Sequence, residues 1–288
     1  MKKTSVFPVK ITRFRDGELQ DYDDLLAVEE PMEIRLDYTD GQQWFTRSIA
    51  VTMRTPGHDF ELALGFLFTE GIIREMAQVK GIRYCTEQGH AENRENIVRV
   101  YLREDVRPDI GKLQRNFYTS SSCGVCGKQS MEQVRQVCPV HRVSSLVIHD
   151  HTMVRLPELL RRVQDVFRFT GSIHAAAFFS GAGKLLMLRE DVGRHNALDK
   201  LIGAALSGKN QLPDPVNSVL VLSGRASFEL LQKAAMAGIT IVCAVGAPSS
   251  LAVETAGQFD ITLVGFLRED RYNIYYDNQR ILQKITTS

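Results

Sequence analysis

Apolar and polar residues alternate along much of the N-terminal part of this chain. Residues 28 to 38 alternate strictly enough to predict a half-exposed β-strand. Asp40 and Gly41 then supply a turn, and residues 44 to 52 predict a second strand that pairs back on the first. The next predicted elements are a helix at 59 to 69 and strands at 79 to 85 and 96 to 103.

From about residue 141 the pattern changes to alternating strands and helices. A continuous apolar run such as Val219 to Leu222 predicts a strand buried on both faces of a sheet. We therefore expect an α/β half with helices on both sides of a mostly parallel or mixed sheet. Its predicted elements are an amphipathic helix at 156 to 169, a hairpin of 174 to 179 and 185 to 188, helices at 194 to 206, 226 to 237 and 249 to 257, and strands at 217 to 222, 239 to 245, 260 to 266 and 272 to 276.

These patterns predict an α/β protein, or α+β when the whole chain is considered. A polar stretch at 105 to 115, with Pro108 and Gly111, indicates a link between two domains. We predict a β-rich domain over residues 1 to 115, a mobile connector at 116 to 140, and an α/β domain over 141 to 288.

The composition is that of an ordinary globular protein, with 44% hydrophobic and 24% charged residues. The formal net charge of +1 gives no overall field that would attract nucleic acid. No run approaches the ~18 apolar residues of a membrane helix, and no apolar segment follows Lys2 and Lys3 to form a signal peptide. We therefore expect a cytoplasmic protein that binds neither membranes nor nucleic acid.

Cys123 and Cys126 form a C-x2-C pair inside a run of small residues. With Cys138 and His141 they have the spacing of a structural zinc knuckle. Thioredoxin-like redox chemistry is a second interpretation, although the pair does not follow the first strand of a βαβ fold. A sulfur carrier is a third, because small neighbours give access and Lys128 would lower the thiol pKa. The alternative is that both cysteines lie in a loop and have no chemical function.

Three predicted strands lead into polar segments that precede helices. In α/β sheets, ligands collect at such strand ends, where helix N-termini present free N–H groups. Glycines, hydroxyls, two arginines and a histidine suit an anionic, oxygen-rich ligand such as a nucleotide, although helix caps and turns would explain each segment singly. The segments are residues 190 to 196, 223 to 227 and 246 to 250, and they include His195 and Arg225.

A fourth polar segment follows the predicted strand at 260 to 266. Two arginines and an aromatic ring could hold a phosphate and stack on a base. Spacing alone favours a charged hairpin turn instead. The segment consists of Phe266, Leu267, Arg268, Glu269, Asp270 and Arg271.

Taken together, these motifs resemble the FdhD/NarQ family of sulfur carriers needed for formate dehydrogenase activity. The resemblance extends from about residue 28 to 277. It rests on Cys123-Gly-Val-Cys126-Gly, Glu190-Asp-Val-Gly-Arg-His-Asn196 with Ala-Leu-Asp-Lys200, Ser223-Gly-Arg225 and Gly246-Ala-Pro-Ser-Ser250.

The resemblance implies a sulfurtransferase that works through a cysteine persulfide. A cysteine desulfurase would donate sulfur to Cys123, with Cys126 as its partner. The sulfur would pass to the molybdenum or tungsten of a bis(molybdopterin guanine dinucleotide) cofactor before insertion into formate dehydrogenase. Residues 266 to 271 match the segment that binds this cofactor, which reverses the preference for a plain turn. A homodimer without a catalytic metal is expected.

The family's C-terminal half is similar to the cytidine deaminase fold, which permits a chemical check. Zinc deaminases carry H-x-E at one helix start and P-C-x-x-C at the next. Here the corresponding helix starts are His195-Asn196-Ala197 and residues 223 to 227. The glutamate and both cysteines of the deaminase motif are therefore absent. We expect a deaminase-like pocket that recognises a guanine nucleotide, with GDP as an analogue of the cofactor ends and with Arg225 and His195 facing phosphate or base.

One alternative function stays open. The protein could be a cofactor chaperone without sulfur chemistry, with a zinc knuckle at Cys123, Cys126, Cys138 and His141.

Overall fold

A computed structural model describes residues 4–85, 95–108, 144–208 and 213–283. The strands are β1 (Val6–Arg15), β2 (Glu18–Ala27), β3 (Glu30–Thr39), β4 (Trp44–Arg54), β5 (Val79–Tyr84), β6 (Ile97–Leu102), β7 (Ile148–His149), β8 (His174–Phe179), β9 (Leu185–Asp191), β10 (Val219–Leu222), β11 (Ile241–Ala244), β12 (Thr262–Gly265), β13 (Asn273–Tyr276) and β14 (Ile281–Leu282). The helices are α1 (Asp59–Thr69), α2 (Asp150–Met153), α3 (Leu156–Val163), α4 (Asp165–Thr170), α5 (Arg194–Ser207), α6 (Phe228–Met236) and α7 (Ser250–Gln258). The fold is mixed α+β, as the sequence predicts.

The N-terminal part contains a four-stranded sheet in the order β4-β3-β6-β5. Strands β3 and β4 pair antiparallel from Glu30 opposite Arg54 to Thr39 opposite Trp44, which confirms the predicted hairpin. Before this sheet, β1 and β2 form a separate antiparallel hairpin that contacts α4. Asp16 and Gly17 join its strands with φ of 53° and 89°, which suits a two-residue hairpin turn.

The C-terminal part contains a mixed six-stranded sheet in the order β13-β12-β11-β10-β8-β9. Strands β10, β11 and β12 run parallel, and β8 runs antiparallel to β10. Leu220 and Leu222 belong to one core cluster, whereas Val219 and Val221 belong to another with Leu160 of α3. The continuous apolar strands therefore pack against hydrophobic layers on both faces, as their sequence predicts.

One hydrophobic core continues from the N-terminal sheet into the C-terminal sheet. It includes Ile34 and Val98 of the first sheet, Leu198 of α5 and Phe178 of the second sheet. Helices α1 and α5 cross at its centre. A β-carbon on Gly203 would lie 1.8 Å from the carbonyl oxygen of Glu61, so the two backbones meet without side chains between them.

Buried ion pairs surround this helix crossing and join the two parts of the chain. The Nζ atom of Lys200 lies 2.6 Å from a carboxylate oxygen of Asp191 and donates to the carbonyl of Thr55 at 2.8 Å. Lys233 of α6 pairs with Glu70 at 3.1 Å. Since an unpaired buried charge is costly, these pairs favour this one arrangement of the two parts over others.

Glu61 of α1 pairs with Arg189 of β9 across the same contact, at 2.6 Å. Burial alone would raise the pKa of Glu61, but hydrogen bonds from Arg189 and His58 lower it from 4.5 to about 2. A carboxylate whose pKa is lowered on folding stabilises the fold above its unfolded pKa. That stabilisation is lost as the pH falls from about 4.5 towards 2.

We expect Glu61→Gln to reduce the free energy of unfolding at neutral pH by on the order of 1 kcal/mol, allowing for solvent screening. The variant should also lose less stability than the parent between pH 4.5 and 2. Urea unfolding at a series of pH values measures both effects. Glu104→Gln, which removes the exposed partner of Lys80, is the control and should leave the profile unchanged. Identical profiles for Glu61→Gln and the parent would contradict this prediction.

The single helix predicted at 156 to 169 is wrong, because the structure divides it into α3 and α4 at Gln164. Gln164 has φ −80° and ψ 84°, outside the helical region. The division exposes the first N–H groups of α4. The carboxylate of Glu190 accepts from the N–H groups of Val166 and Phe167, each at 3.1 Å. The carboxylate that satisfies these N–H groups is far away in the sequence, so helical periodicity could not predict the break.

The predicted domain boundaries near residues 115 and 140 lie outside the described residues and stay predictions. Within the described ranges, no helix combines the length and the apolar character needed to span a membrane.

Candidate functional site

Four loops and the start of β8 meet at one edge of the C-terminal sheet. Because β10, β11 and β12 are parallel, the loops that follow them leave the same edge. Strand β8 is antiparallel to β10, which brings His174 to this edge, and Asp191 at the end of β9 pairs with His174. The structure therefore places all four sequence motifs around one site.

Backbone hydrogen bonds join the three loops that follow the parallel strands. The N–H of Gly246 donates to the carbonyl of Gly224 at 2.9 Å, and the N–H of Phe266 donates to the carbonyl of Gly246 at 3.1 Å. A β-carbon on Gly246 would lie 2.8 Å from the Cα of Arg225. The glycine is therefore needed for the close approach of these loops.

Some residues of the 190 to 196 motif have structural roles. Asp191 is fully buried, pairs with Lys200 and accepts from the N–H of Gly193 at 2.8 Å. Asn196 donates to the carbonyl of Met53 at 2.7 Å. These contacts fix the loop between the two parts of the chain and leave Arg194 and His195 as its candidate ligand-binding groups.

His195 lies at the start of α5, beside the start of α6. Its Nε2 is 3.3 Å from the hydroxyl of Ser227 and 3.8 Å from a carboxylate oxygen of Glu229. The hydrogen bond with His195 lowers the pKa of Glu229 to about 2. Glu229 therefore keeps a negative charge beside the imidazole of His195.

Arg194 and Arg225 place two positive charges at this edge. Neither makes an ion pair with any residue that the structure describes, and the Nε of Arg194 is buried without a hydrogen-bond partner. Burial lowers the pKa of His174, and the charges of Arg194 and His195 lower it further. Two guanidinium groups without an ion-pair partner among the described residues can bind an anion such as a phosphate.

Residues 266 to 271 connect β12 to β13 beside the loop of Gly246, which itself packs against Arg225. Phe266 is 43% exposed with φ 50°, whereas the side chain of Leu267 is buried in the second core cluster. The Nη1 atom of Arg268 donates to the carbonyl of Val245 at 2.6 Å, which fastens this loop to its neighbour. The segment therefore forms the charged hairpin turn that its spacing in the sequence predicts. It also lies at the edge of the candidate site.

The charged residues of this segment differ in what they contact. Glu269 lies 3.9 Å from Arg161 of α3, and Asp270 lies 4.0 Å from Arg271. All four side chains are largely exposed. Phe266 and Arg271 are therefore accessible to a ligand, whereas Leu267 and Arg268 hold the loop in place.

Cys123 and Cys126 lie outside the described residues, as do Cys138 and His141 of the zinc alternative. The sequence did not identify Gln164 or His174 as site residues. His174 and Gln164 carry no motif, and only the pairing of distant segments brings them to this edge. Arg194 stands inside the 190 to 196 motif, and the signal for it was its position at a predicted helix start.

The sequence profile of the FdhD/NarQ family matches residues 27–282 of this chain. The chain is 48% identical over 278 residues to the sulfur carrier protein FdhD of Streptomyces coelicolor, covering 94% of each protein. It is 39% identical to the sulfur carrier protein FdhD of Sulfurisphaera tokodaii, covering 95% of this chain and 98% of that protein.

A solved structure agrees with these sequence comparisons. The crystal structure of a candidate formate dehydrogenase accessory protein from Desulfotalea psychrophila superposes with a TM-score of 0.72 at 25% identity. The match covers 97% of this chain and 100% of that one. With its mixed α+β fold and its cationic sheet edge, the chain belongs to the FdhD/NarQ family.

Proposed function

We propose that this protein is a sulfur carrier that loads sulfur onto a molybdenum or tungsten bis(molybdopterin guanine dinucleotide) cofactor destined for formate dehydrogenase. The observation that carries the proposal is that Arg194 and Arg225, at the edge where four loops meet, have no ion-pair partner among the described residues. Such an edge suits the phosphates of a dinucleotide. The names of the relatives, sulfur carrier proteins, support the sulfur chemistry.

The first step in this proposal is a thiol–persulfide exchange at Cys123. Its thiolate attacks the outer sulfur of a cysteine desulfurase persulfide, and a new S–S bond forms on Cys123. The S–S bond of the donor breaks, and the desulfurase cysteine leaves as a thiolate. No net oxidation takes place in this step.

The second step delivers the sulfur as sulfide to the metal of the cofactor, which requires two electrons. Cys126 can supply them, since attack of its thiolate on the sulfur atom of Cys123 forms a disulfide and releases sulfide. A cellular thiol reductant then restores both thiols. The C-x2-C spacing suits this role, because the two sulfurs are close along the chain.

The nucleotide ends of the cofactor bind at the sheet edge in this proposal. Arg225 and Arg194 contact phosphate oxygens, His195 faces phosphate or base, and the exposed ring of Phe266 can stack on a base. GDP reproduces one such end of the cofactor, so the full-length protein should bind GDP.

We expect Arg225→Ala to weaken GDP binding by about tenfold or more, because it removes a charge-assisted hydrogen bond worth roughly 1.5–3 kcal/mol. Isothermal titration calorimetry measures the affinity. Arg47→Ala, which removes an exposed arginine from β4, is the matched control and should bind GDP as the parent does. Equal GDP affinities for Arg225→Ala and the parent would remove Arg225 from the site.

The experiment that tests the function is intact-mass spectrometry after incubation with a cysteine desulfurase and cysteine. The protein should gain the mass of one sulfur atom and lose it again on reduction. No gain would refute sulfur carriage. Stoichiometric zinc in protein purified without chelator, together with no mass gain, would favour the chaperone with a zinc knuckle.

A further inference from the structure

The outer face of the N-terminal sheet carries charged and aromatic side chains. Ile34 and Leu36 of β3 are buried in the core, so the residues that alternate with them face the opposite side of the sheet. A depression of about 590 Å³ opens on that side, and its lining includes Asp37, Trp44, Thr46, Lys80, Arg83 and Tyr101. The depression belongs to a different sheet from the proposed nucleotide site, so a ligand bound here is independent of the proposed function.

Three arginines lie side by side on this face. Arg99 of β6 is opposite Arg35 of β3 and opposite Arg83 of β5. Like charges in directly opposite positions destabilise a sheet unless anions neutralise them. Arg35 pairs with Glu33 at 2.9 Å, and Arg99 pairs with Asp37 at 2.6 Å. Two of the three arginines therefore have a carboxylate partner within the chain.

Arg83 differs from the other two arginines of this row. Its Nε donates to the hydroxyl of Tyr101 at 2.7 Å, and its guanidinium carbon lies 4.7 Å from the centre of that ring. No carboxylate among the described residues pairs with Arg83. Gly81 is opposite Tyr101, and a β-carbon on Gly81 would meet no atom within 4 Å. Since Gly81 and Arg83 are on the same face of β5, a carboxylate in this open space is within reach of the guanidinium.

An aromatic ring and a second cation border the same depression. Trp44 of β4 is 49% exposed, and the Nζ of Lys80 lies 5.9 Å from the centre of its ring. Lys80 also pairs with Glu104 at 3.1 Å, but both side chains are largely exposed. Because such exposed pairs contribute little free energy, Lys80 can exchange Glu104 for another anion.

We propose that this depression binds an acidic segment of another protein. A carboxylate of the segment pairs with Arg83 and Lys80, and an apolar side chain next to it packs on Trp44. The two cations and the row of arginines make the face complementary to an acidic ligand. A site for a small molecule encloses most of its ligand, whereas this depression is open along the face of the sheet. An open face suits a segment that the rest of its own protein holds in place.

Trp44 is the single tryptophan of the chain, so its fluorescence reports on this depression alone. We expect its emission to change to saturation when the full-length protein is titrated with an acetylated five-residue peptide of alternating glutamate and phenylalanine. Arg83→Ala should weaken this binding by about tenfold, because it removes a charge-assisted hydrogen bond. Arg168→Ala, which removes an exposed arginine from α4, is the matched control and should bind the peptide as the parent does.

Gly81→Glu tests the same contact from within the chain. The added carboxylate should occupy the open space, pair with Arg83 and abolish peptide binding, while a parental midpoint of urea unfolding shows that the variant is folded. Parent-like peptide binding by Arg83→Ala or by the folded Gly81→Glu variant would overturn the proposal.

Three further results would also overturn it. The first is equal binding of a peptide in which lysine replaces glutamate. The second is the absence of both a fluorescence change and a calorimetric heat with the glutamate peptide. The third is phenylacetate bound as tightly as that peptide, since this would assign the depression to a small carboxylate instead of a protein segment.

Discussion

Cys123→Ala should abolish the gain of sulfur from a cysteine desulfurase, because no other thiol is proposed to attack the donor persulfide. GDP binding should be unchanged in this variant, since the proposed nucleotide site uses Arg194, Arg225 and the 266 to 271 loop. Intact-mass spectrometry measures the sulfur uptake, and calorimetry measures GDP binding. The combined result would separate sulfur transfer from cofactor binding within one protein.

Two cysteine variants serve as controls for this experiment. Cys138→Ala should gain sulfur as the parent does, whereas a zinc knuckle would lose a ligand and its metal. Cys126→Ala should still gain sulfur, but it should release less sulfide because no disulfide can form with Cys123. Full sulfur uptake by Cys123→Ala would refute the assignment of the carrier cysteine.

Gly203→Ala should destabilise the fold by about 3 kcal/mol. The added β-carbon would lie 1.8 Å from the carbonyl oxygen of Glu61 and 2.8 Å from the backbone nitrogen of Gly65. Both neighbours are backbone atoms of α1, so only separation of α1 from α5 relieves the overlap. Urea unfolding at neutral pH measures the loss.

Gly257→Ala is a matched control, because Gly257 also lies in a helix, α7. A β-carbon there would meet only the ring of Tyr276, at an ordinary 3.5 Å. Since alanine favours helices over glycine by about 1 kcal/mol, this variant should be as stable as the parent or more so. Gly203→Ala with parental stability would show that the two helices can separate at little cost.

Local sequence pattern was enough to predict most elements of the fold. The apolar run of β10 fits a strand covered on both faces, and the alternation in β3 fits a sheet with one face on the core. Periodicity works here because hydrophobic burial acts on each element separately. It failed at Gln164, where the acceptor that compensates for the helix break is Glu190 of a distant strand.

The candidate site was predictable only in part. Helix starts and glycines identified the loops of His195 and Arg225, because those features are local. Nothing local distinguished Asp191, which is buried against Lys200, from Arg194, which has no ion-pair partner in the described chain. The difference between these two residues arises only when the N-terminal and C-terminal parts of the chain pack together and bury the side chain of Asp191.

The sequence by itself determined most of the strands and helices, the C-x2-C pair and the polar segments at the strand ends, because each depends on residues close together in the chain. The tertiary structure decided which of those residues meet. The antiparallel placement of β8 beside β10 brings His174 to the loops after the parallel strands. The close crossing of α1 and α5 encloses the charges that fix these loops. Such contacts join residues far apart in sequence, so no local periodicity encodes them.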